Sequence, residues 1–260
     1  MIRVGVIGAN GRMGREVCRA VSQDPDMSLV GAIDRSHAGE PAIAGSAGSA
    51  VTVSDDLQTL LRAETEVAVD FTHPDVVMDH IRWAIEHAVH IVVGTTGVSP
   101  EDLEEIGQLL EKEAGDSNVI VAPNFAIGAV LAERFAAQAV RYFPAAEIIE
   151  LHHDGKADSP SGTSLSAARR IVAERAQGYR GPERESLKGS RGGDLEGVRV
   201  HSVRLPGLVA HQEIILGGPG QVLTIRHDSM DRASFMPGVL LAVKEVVRRP
   251  GLTVGLEPLL

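Results

Sequence analysis

An α/β chain in two parts is what this sequence predicts: a doubly wound parallel sheet first, then an α+β part built on a mixed or antiparallel sheet. Three observations lead there. Up to about residue 125, runs that are apolar throughout alternate with amphipathic helical stretches, the pattern of parallel strands covered on both faces. A glycine-rich turn joins the first such run to the first helical stretch. Farther on, strand-like segments follow one another with few helices between them, and alternation such as Val198, Val200, Ser202 marks a sheet with one face more exposed.

The elements follow in order. IRVGVIG (2–8) reads as a buried strand, GREVCRAVSQ (14–23) as a helix and SLVGAID (28–34) as the second strand. EVAVDF (66–71) is a third strand, followed by PDVVMDHIRWAIEHA (74–88), a helix with proline in its first turn. VHIVVG (89–94) is a fourth strand. SPEDLEEIGQLLEKEAG (99–115) is a helix with Ser99 as N-cap, acids in its first turn and Gly115 near its end. NVIVAP (118–123) is the fifth strand. The second part opens with a helix (128–143), a strand AEIIELHH (146–153) and a helix from about Ser161. Residues 177–197 are polar and glycine-rich and read as a long loop. Strands follow at 197–205, 210–216 and 221–227, and a final helix at 232–247 is expected to pack on the first part.

Composition excludes several roles. With 25 Lys and Arg against 35 Asp and Glu, the net charge is −10, which argues against a nucleic-acid partner. No apolar run has membrane-spanning length, and the opening MIRVGVIGANGRMG shows no signal-peptide pattern, so a cytoplasmic protein is expected. The single Cys18 cannot form an intrachain disulfide; it falls in a helix and reads as packing.

The turn GVIGANGRMGRE places Gly8, Gly11 and Gly14 between a strand and a helix, a G-x-x-G-x-x-G form of the dinucleotide fingerprint of a Rossmann-type domain. Glycine suits a tight turn and a close backbone approach to pyrophosphate, and the helix N-terminus offers free N–H groups. Asp34, at the end of the next strand, suits adenosine ribose hydroxyls and favours NADH. Arg35 or Arg12 could pair with a 2′-phosphate, so NADPH is expected to be tolerated. GTTG (94–97) and APNFAIG (122–128) fall at the same sheet edge and suit a nicotinamide ribose and carboxamide.

The densest chemistry is ELHHDGKADSPSGT (150–163). His152 and His153 are adjacent on a strand, point to opposite faces and do not suit one metal ion, so no metal is expected. Ser161 is a suitable N-cap, leaving Gly162 and Thr163 to present N–H groups to a carboxylate, with Lys156 and His153 adding positive charge or donors. His152 would remain for proton transfer. A solvated loop with two satisfied histidines is the alternative on these residues alone.

In order, GANGRMGRE, DFTHP, GTTG, APNFAIG, ELHHDGKADSPSGT, VRLPGLVAHQEIILGG and IRHDSMDRASFMPGV give the chain a resemblance, over essentially its whole length, to the 4-hydroxy-tetrahydrodipicolinate (dihydrodipicolinate) reductase family. The HH-x-x-K-x-D-x-PSGT run is the specific part. The resemblance implies a homotetramer that reduces a cyclic dicarboxylate imine with NADH or NADPH. It implies a dinucleotide-binding domain (1–125 and 233–260) and a substrate-binding and oligomerisation domain (126–232). Hydride transfer requires the two motifs to meet, so the segments near 125–128 and 228–235 are expected to act as hinges. Carried onto this chain, His152 is the acid/base residue, and Lys156 is a proton donor that also contacts substrate. His153 binds substrate, and Ser161, Gly162 and Thr163 hold a carboxylate. The cofactor site comprises Gly8, Ala9, Asn10, Gly11, Arg12, Met13, Asp34, Arg35, Gly94, Thr95, Thr96, Ala122, Pro123, Asn124 and Phe125. Many members carry a histidine or a basic residue where this chain has Asp154-Gly155, which sets negative charge beside an expected dianion. Another two-domain NAD(P) oxidoreductase and a non-catalytic dinucleotide sensor are the competing readings. The first is disfavoured by the place of Cys18 and by the His-His-Lys run, the second by His152 and Lys156 occurring together.

Overall fold

The computed structural model describes residues 1–43, 51–113, 117–179, 181 and 184–260. In chain order the elements are β1 (Ile2–Ile7), α1 (Arg12–Gln23), β2 (Met27–Ile33), β3 (Val53–Ser54), α2 (Gln58–Arg62), β4 (Val67–Asp70), α3 (Pro74–Glu86), β5 (His90–Val93), α4 (Pro100–Lys112) and β6 (Asn118–Val121). Then come α5 (Ile127–Ala139), β7 (Ala145–His152), α6 (Gly162–Glu174), β8 (Gly193–Leu195), β9 (Val198–Arg204), β10 (Ala210–Gly218), β11 (Gln221–Ser229), α7 (Met236–Val246) and β12 (Gly251–Val254). Two compact units result: Met1–Phe125 with Phe235–Leu260, and Ala126–Ser234.

The first unit is a seven-stranded sheet in the order β12-β6-β5-β4-β1-β2-β3, with every pairing parallel. The doubly wound expectation holds. The strand order reverses at β1, whose neighbours are β2 and β4, and in such sheets ligands bind at that reversal, beyond the strands' carboxyl ends. β4 is buried at all four residues, which is why its sequence is apolar up to Asp70. Ile7, Ile81, Ile91, Ile106 and Val119 fill one core cluster, and full burial of each such side chain contributes ~1.5–3 kcal/mol. α7 packs against α1, β5 and β6. Cys18 is fully buried, and burial pushes its thiol up to about 12, the state of an inert packing residue.

The boundaries differ from expectation where local rules decide. α1 starts at Arg12, two residues early, because Gly11 is its N-cap. α4 carries the expected Ser99 cap, completed by Asp102 as a capping box; Gly115 lies outside the described residues. The final helix divides into a 3-10 turn (Arg232–Phe235) and α7, since Pro237 is tolerated only in a first turn. Short β3, α2 and β12 went unforeseen.

The second unit is a five-stranded sheet in the order β11-β10-β7-β9-β8. β7 and β9 are parallel, joined through α6, and the remaining pairs are antiparallel, so the sheet is mixed. α5 and α6 contribute Ala136, Ala167, Ala168 and Ile171 to a core with Ile148, Val200, Ile214 and Leu216. The polar stretch 177–197 is not wholly loop. Part of it lies outside the described residues, but β8 pairs with β9 through a two-residue turn at Glu196-Gly197, both with positive φ (50° and 94°). That is the left-handed pair a tight hairpin requires, and glycine supplies half of it without strain. Among the described residues no helix is long and apolar enough to cross a membrane.

Candidate functional site

In the first unit the chain turns sharply after β1. Gly8 has φ +82°, and a Cβ there would lie 2.4 Å from the Phe71 carbonyl oxygen, so the position demands glycine. The loop's own amides are largely engaged. Gly8 and Ala9 donate to the Ile33 carbonyl (2.8 and 3.0 Å) and Gly11 to Gly8 O (3.0 Å), while Asn10 N donates to Asp34 Oδ2 (2.9 Å). The N–H groups this cradle can offer an anion are therefore those of the first turn of α1, Arg12 to Gly14, where Gly11 provides no side-chain cap.

Asp34 is fixed by the same loop. Its Oδ1 accepts from the Ser36 amide (2.9 Å) and hydroxyl (2.7 Å). Burial pushes this carboxyl up, but those bonds and the Asn10 amide outweigh it and hold the group below the ordinary carboxylate range. An ionised acid thus stands at the end of β2. Arg12 and Arg35 are both exposed.

The loops after β4, β5 and β6 meet at Phe71 and Asp70. The Phe71 ring lies 5.8 Å from that of Phe125, and a Cβ on Gly94 would strike Phe71 at 2.1 Å. Thr95 is buried: its hydroxyl donates to Asp70 Oδ1 (2.6 Å) and accepts from Thr72 N (2.7 Å). Asp70, fully buried, also faces His80 Nδ1 at 2.7 Å. Thr95 therefore shapes the loop through its hydroxyl, and Thr96 is the exposed threonine of the pair. Pro123 is exposed, Asn124 half-buried and Ala122 buried. Sequence reading passed over Asp70 and His80; the DFTHP run carries Asp70, while His80 sits one helical stretch later on α3.

In the second unit alternation along β7 explains the site. Ala146 and Ile148 face the helices in the apolar core. The next residues on that face are Glu150 and His152, with Ser202 and Arg204 beside them on β9 and Gln212 and Ala210 on β10. One face of one sheet thus turns from apolar to charged within two residues.

Glu150 has no exposed surface. Arg204 clamps it with Nη1 to Oε2 and Nη2 to Oε1, both 2.9 Å. His152 Nδ1 is 2.5 Å from Oε2, and the Ser161 amide donates to Oε1 at 3.3 Å. Burial pushes the Glu150 carboxyl up, but hydrogen bonds from Arg204, Ser202 and His152 bring it below its ordinary range, so it is ionised. An ionised carboxylate only accepts, so His152 carries its proton on Nδ1 and leaves Nε2 open. Burial also lowers the proton affinity of His152, and this outweighs the pull of Glu150, whose charge Arg204 already balances.

Ser161 caps α6, accepting from Ser164 N (3.2 Å). Its hydroxyl also meets that of Ser164 (2.9 Å), which donates to Gln212 Oε1 (2.6 Å). Gly162 is exposed, and a Cβ there would meet nothing within 4 Å, so the helix start opens on free space. His153 and Asp154 are exposed beyond the end of β7. Lys156 is half-buried with Nζ on both oxygens of Asp158 (2.7 and 2.9 Å), and the Asp158 carbonyl accepts from Arg204 Nη2 at 2.7 Å. His152, Ser161 and the start of α6 are thus brought together by Glu150, and Arg204 ties in the loop bearing Lys156. Glu150 and Arg204 were not foreseen, although the two-residue spacing of Glu150 and His152 indicated a shared face.

Binding a dinucleotide at a glycine turn and exchanging a proton at a fixed histidine are the two capacities of an oxidoreductase that moves hydride, and that is the class into which this chain falls. Comparison with known proteins narrows it. The family models for the N-terminus and C-terminus of dihydrodipicolinate reductase match residues 2–125 and 128–260. The 4-hydroxy-tetrahydrodipicolinate reductase of Nocardia farcinica is 51% identical over 100% of this chain and 98% of its own. That of Mycolicibacterium vanbaalenii is 48% identical over 100% and 99%. A solved dipicolinate-bound dihydrodipicolinate reductase from Paenisporosarcina sp. TG-14 superposes with a TM-score of 0.89 at 42% identity, covering both chains completely. The chain belongs to the dihydrodipicolinate reductase family.

Proposed function

We propose that the chain reduces 4-hydroxy-tetrahydrodipicolinate, or the dihydrodipicolinate imine formed from it by loss of water, to tetrahydrodipicolinate with NAD(P)H in the diaminopimelate–lysine pathway. One observation carries the site: the capped start of α6 and the His152 imidazole converge on Glu150. An anion-binding helix end and a proton-exchanging group are thereby parts of one rigid assembly. The Paenisporosarcina structure holds dipicolinate, a planar ring with two carboxylates. In this chain Gly162 and Thr163 would take one carboxylate on their N–H groups, and His153 with Lys156 the other, Lys156 exchanging Asp158 for substrate. His152 exchanges the proton at Nε2. Gly8 to Met13, Asp34, Arg35, Gly94 to Thr96 and Ala122 to Phe125 would hold the cofactor, which when bound supplies hydride. The glycine cradle fits it, since side chains at Gly8 and Gly14 would fill the turn.

The test is oxidation of NADH and of NADPH, with substrate generated in situ from pyruvate and aspartate semialdehyde by the preceding synthase. Turnover with at least one cofactor is expected, and none with either would sink the reading. We read the protein as cytoplasmic and homotetrameric. The edge strand β11 exposes Val222 and Leu223, which supports burial against another copy.

Cofactor choice turns on Asp34. Its fixed charge favours ribose hydroxyls over a 2′-phosphate, so NADH is expected to be preferred, with Arg12 and Arg35 keeping NADPH usable. Asp34→Asn removes the charge; about 1 kcal/mol between unit charges near 4 Å in water corresponds to several-fold. The ratio of kcat/KM for NADH over NADPH should fall by roughly that factor, measured with both cofactors at saturating substrate. An unchanged ratio would place the selectivity elsewhere.

Asp154 is exposed, and exposed charges are well screened. Asp154→Asn should leave the substrate KM unchanged or lower it modestly in steady-state assays. A large rise would mean that Asp154 orients a catalytic group.

A further inference from the structure

We infer that Glu150, clamped by Arg204, is a positioning residue for the reaction: it selects the Nδ1–H tautomer of His152 and ties that imidazole to the start of α6. The inference rests on the proposed acid/base role of His152. A carboxylate with no exposed surface is costly to bury, and a sheet face that is apolar at Ala146 and Ile148 has no packing need for one at 150. Every oxygen of this carboxylate is used. Oε2 receives His152 Nδ1–H and Arg204 Nη1, and Oε1 receives Arg204 Nη2 and the Ser161 amide.

The division of labour follows from charge. Arg204 balances Glu150, so the carboxylate acts on His152 mainly through direction and tautomer and leaves the ring free to lose its proton. Without Arg204 the buried anion would hold an imidazolium beside it. Without Glu150 either ring nitrogen could carry the proton, and in one tautomer Nε2 would already be protonated in the neutral ring. The Ser161 amide adds a second consequence. Ser161 opens α6, so the group that orients the proton donor also fixes the N-terminus proposed to hold a substrate carboxylate. Arg204 Nη2 reaches the Asp158 carbonyl as well, extending the same clamp to the loop that carries Lys156.

The test combines nitrogen-15 NMR of the histidine rings with a double-mutant cycle in kcat. In wild type, the His152 signal, assigned by its loss in His152→Gln, should show the neutral Nδ1–H tautomer. In Glu150→Gln it should become a mixture or the Nε2–H form. kcat should fall at least about tenfold with the substrate KM within about threefold, the range of a lost outer partner. In the His152→Gln background the same change should have no further effect on kcat; a purely structural role would cost activity in both backgrounds. An Nε2–H tautomer in the wild type overturns the inference without any variant, so it stays testable if Glu150→Gln folds poorly. Wild-type kcat in a folded Glu150→Gln also overturns it. Full activity of His152→Gln, by contrast, would overturn the acid/base role of His152 itself.

Discussion

His152→Gln should lower kcat by ~10²–10⁴-fold, the usual contribution of a placed acid or base, while the Kd for NADH, read by fluorescence titration, stays near the wild-type value. The glycine turn belongs to the other unit, which is why cofactor binding is expected to survive. The fold should survive too, since Glu150 keeps both contacts to Arg204 and its bond from Ser161 when the imidazole is removed. The pH profile carries more information than the rate alone. Burial lowers the proton affinity of His152 below that of an ordinary histidine, so the ring is mostly neutral at pH 7. If the protonated ring is the donor, kcat falls as pH rises through that lowered value, and this limb should vanish in His152→Gln. A variant that keeps both the wild-type rate and the limb would move the proton donor to another residue.

Much of this site was legible in the sequence because its parts obey local rules. The Gly8–Gly14 turn is forced by a positive φ and a carbonyl 2.4 Å from where a Cβ would stand, and such demands leave glycines in the sequence. Ser161 as a cap and the helix behind it followed from side-chain chemistry one turn long. The parts that escaped depend on pairing between distant segments. Arg204 reaches Glu150 only because β9 lies beside β7 in a particular register, His152 opposite Arg204, and no pattern within either strand encodes that register. Gln212 joins through β10 in the same way. Short edge elements such as β3 and β12 carry too few residues to show a period. β8 is the instructive exception: Glu196-Gly197 before an alternating strand is a hairpin signal that the polar composition of 177–197 concealed.

Gly14→Ala should impair cofactor binding and stability together, and its size follows from geometry. Gly14 is a buried helical residue whose added Cβ would lie 2.0 Å from Gly8 O and 2.8 Å from the Ala9 Cα. Those are backbone atoms, so no side chain can rotate away. Either α1 retreats from β1 or the turn at Gly8 opens, and both displace the first-turn N–H groups offered to the pyrophosphate. Overpacking of this kind costs ~1–3 kcal/mol, and loss of aligned anion contacts should raise the Kd for NADH at least about tenfold, or ~1.4 kcal/mol. The control is the same change in another helix. Gly107 lies within α4, where a Cβ would meet nothing within 4 Å. Gly107→Ala should therefore stabilise the protein by ~0.5–1 kcal/mol, the helix penalty of glycine, with NADH binding unchanged. Thermal unfolding and NADH titration of both variants settle the matter. Opposite shifts in Tm, with Kd altered only in Gly14→Ala, would show that the glycine turn is held to its cofactor geometry by the closeness of α1 to β1. A Gly14→Ala protein that melts and binds like wild type would show that the turn has slack, and that the third glycine of the motif is not what brings the helix end to the phosphates.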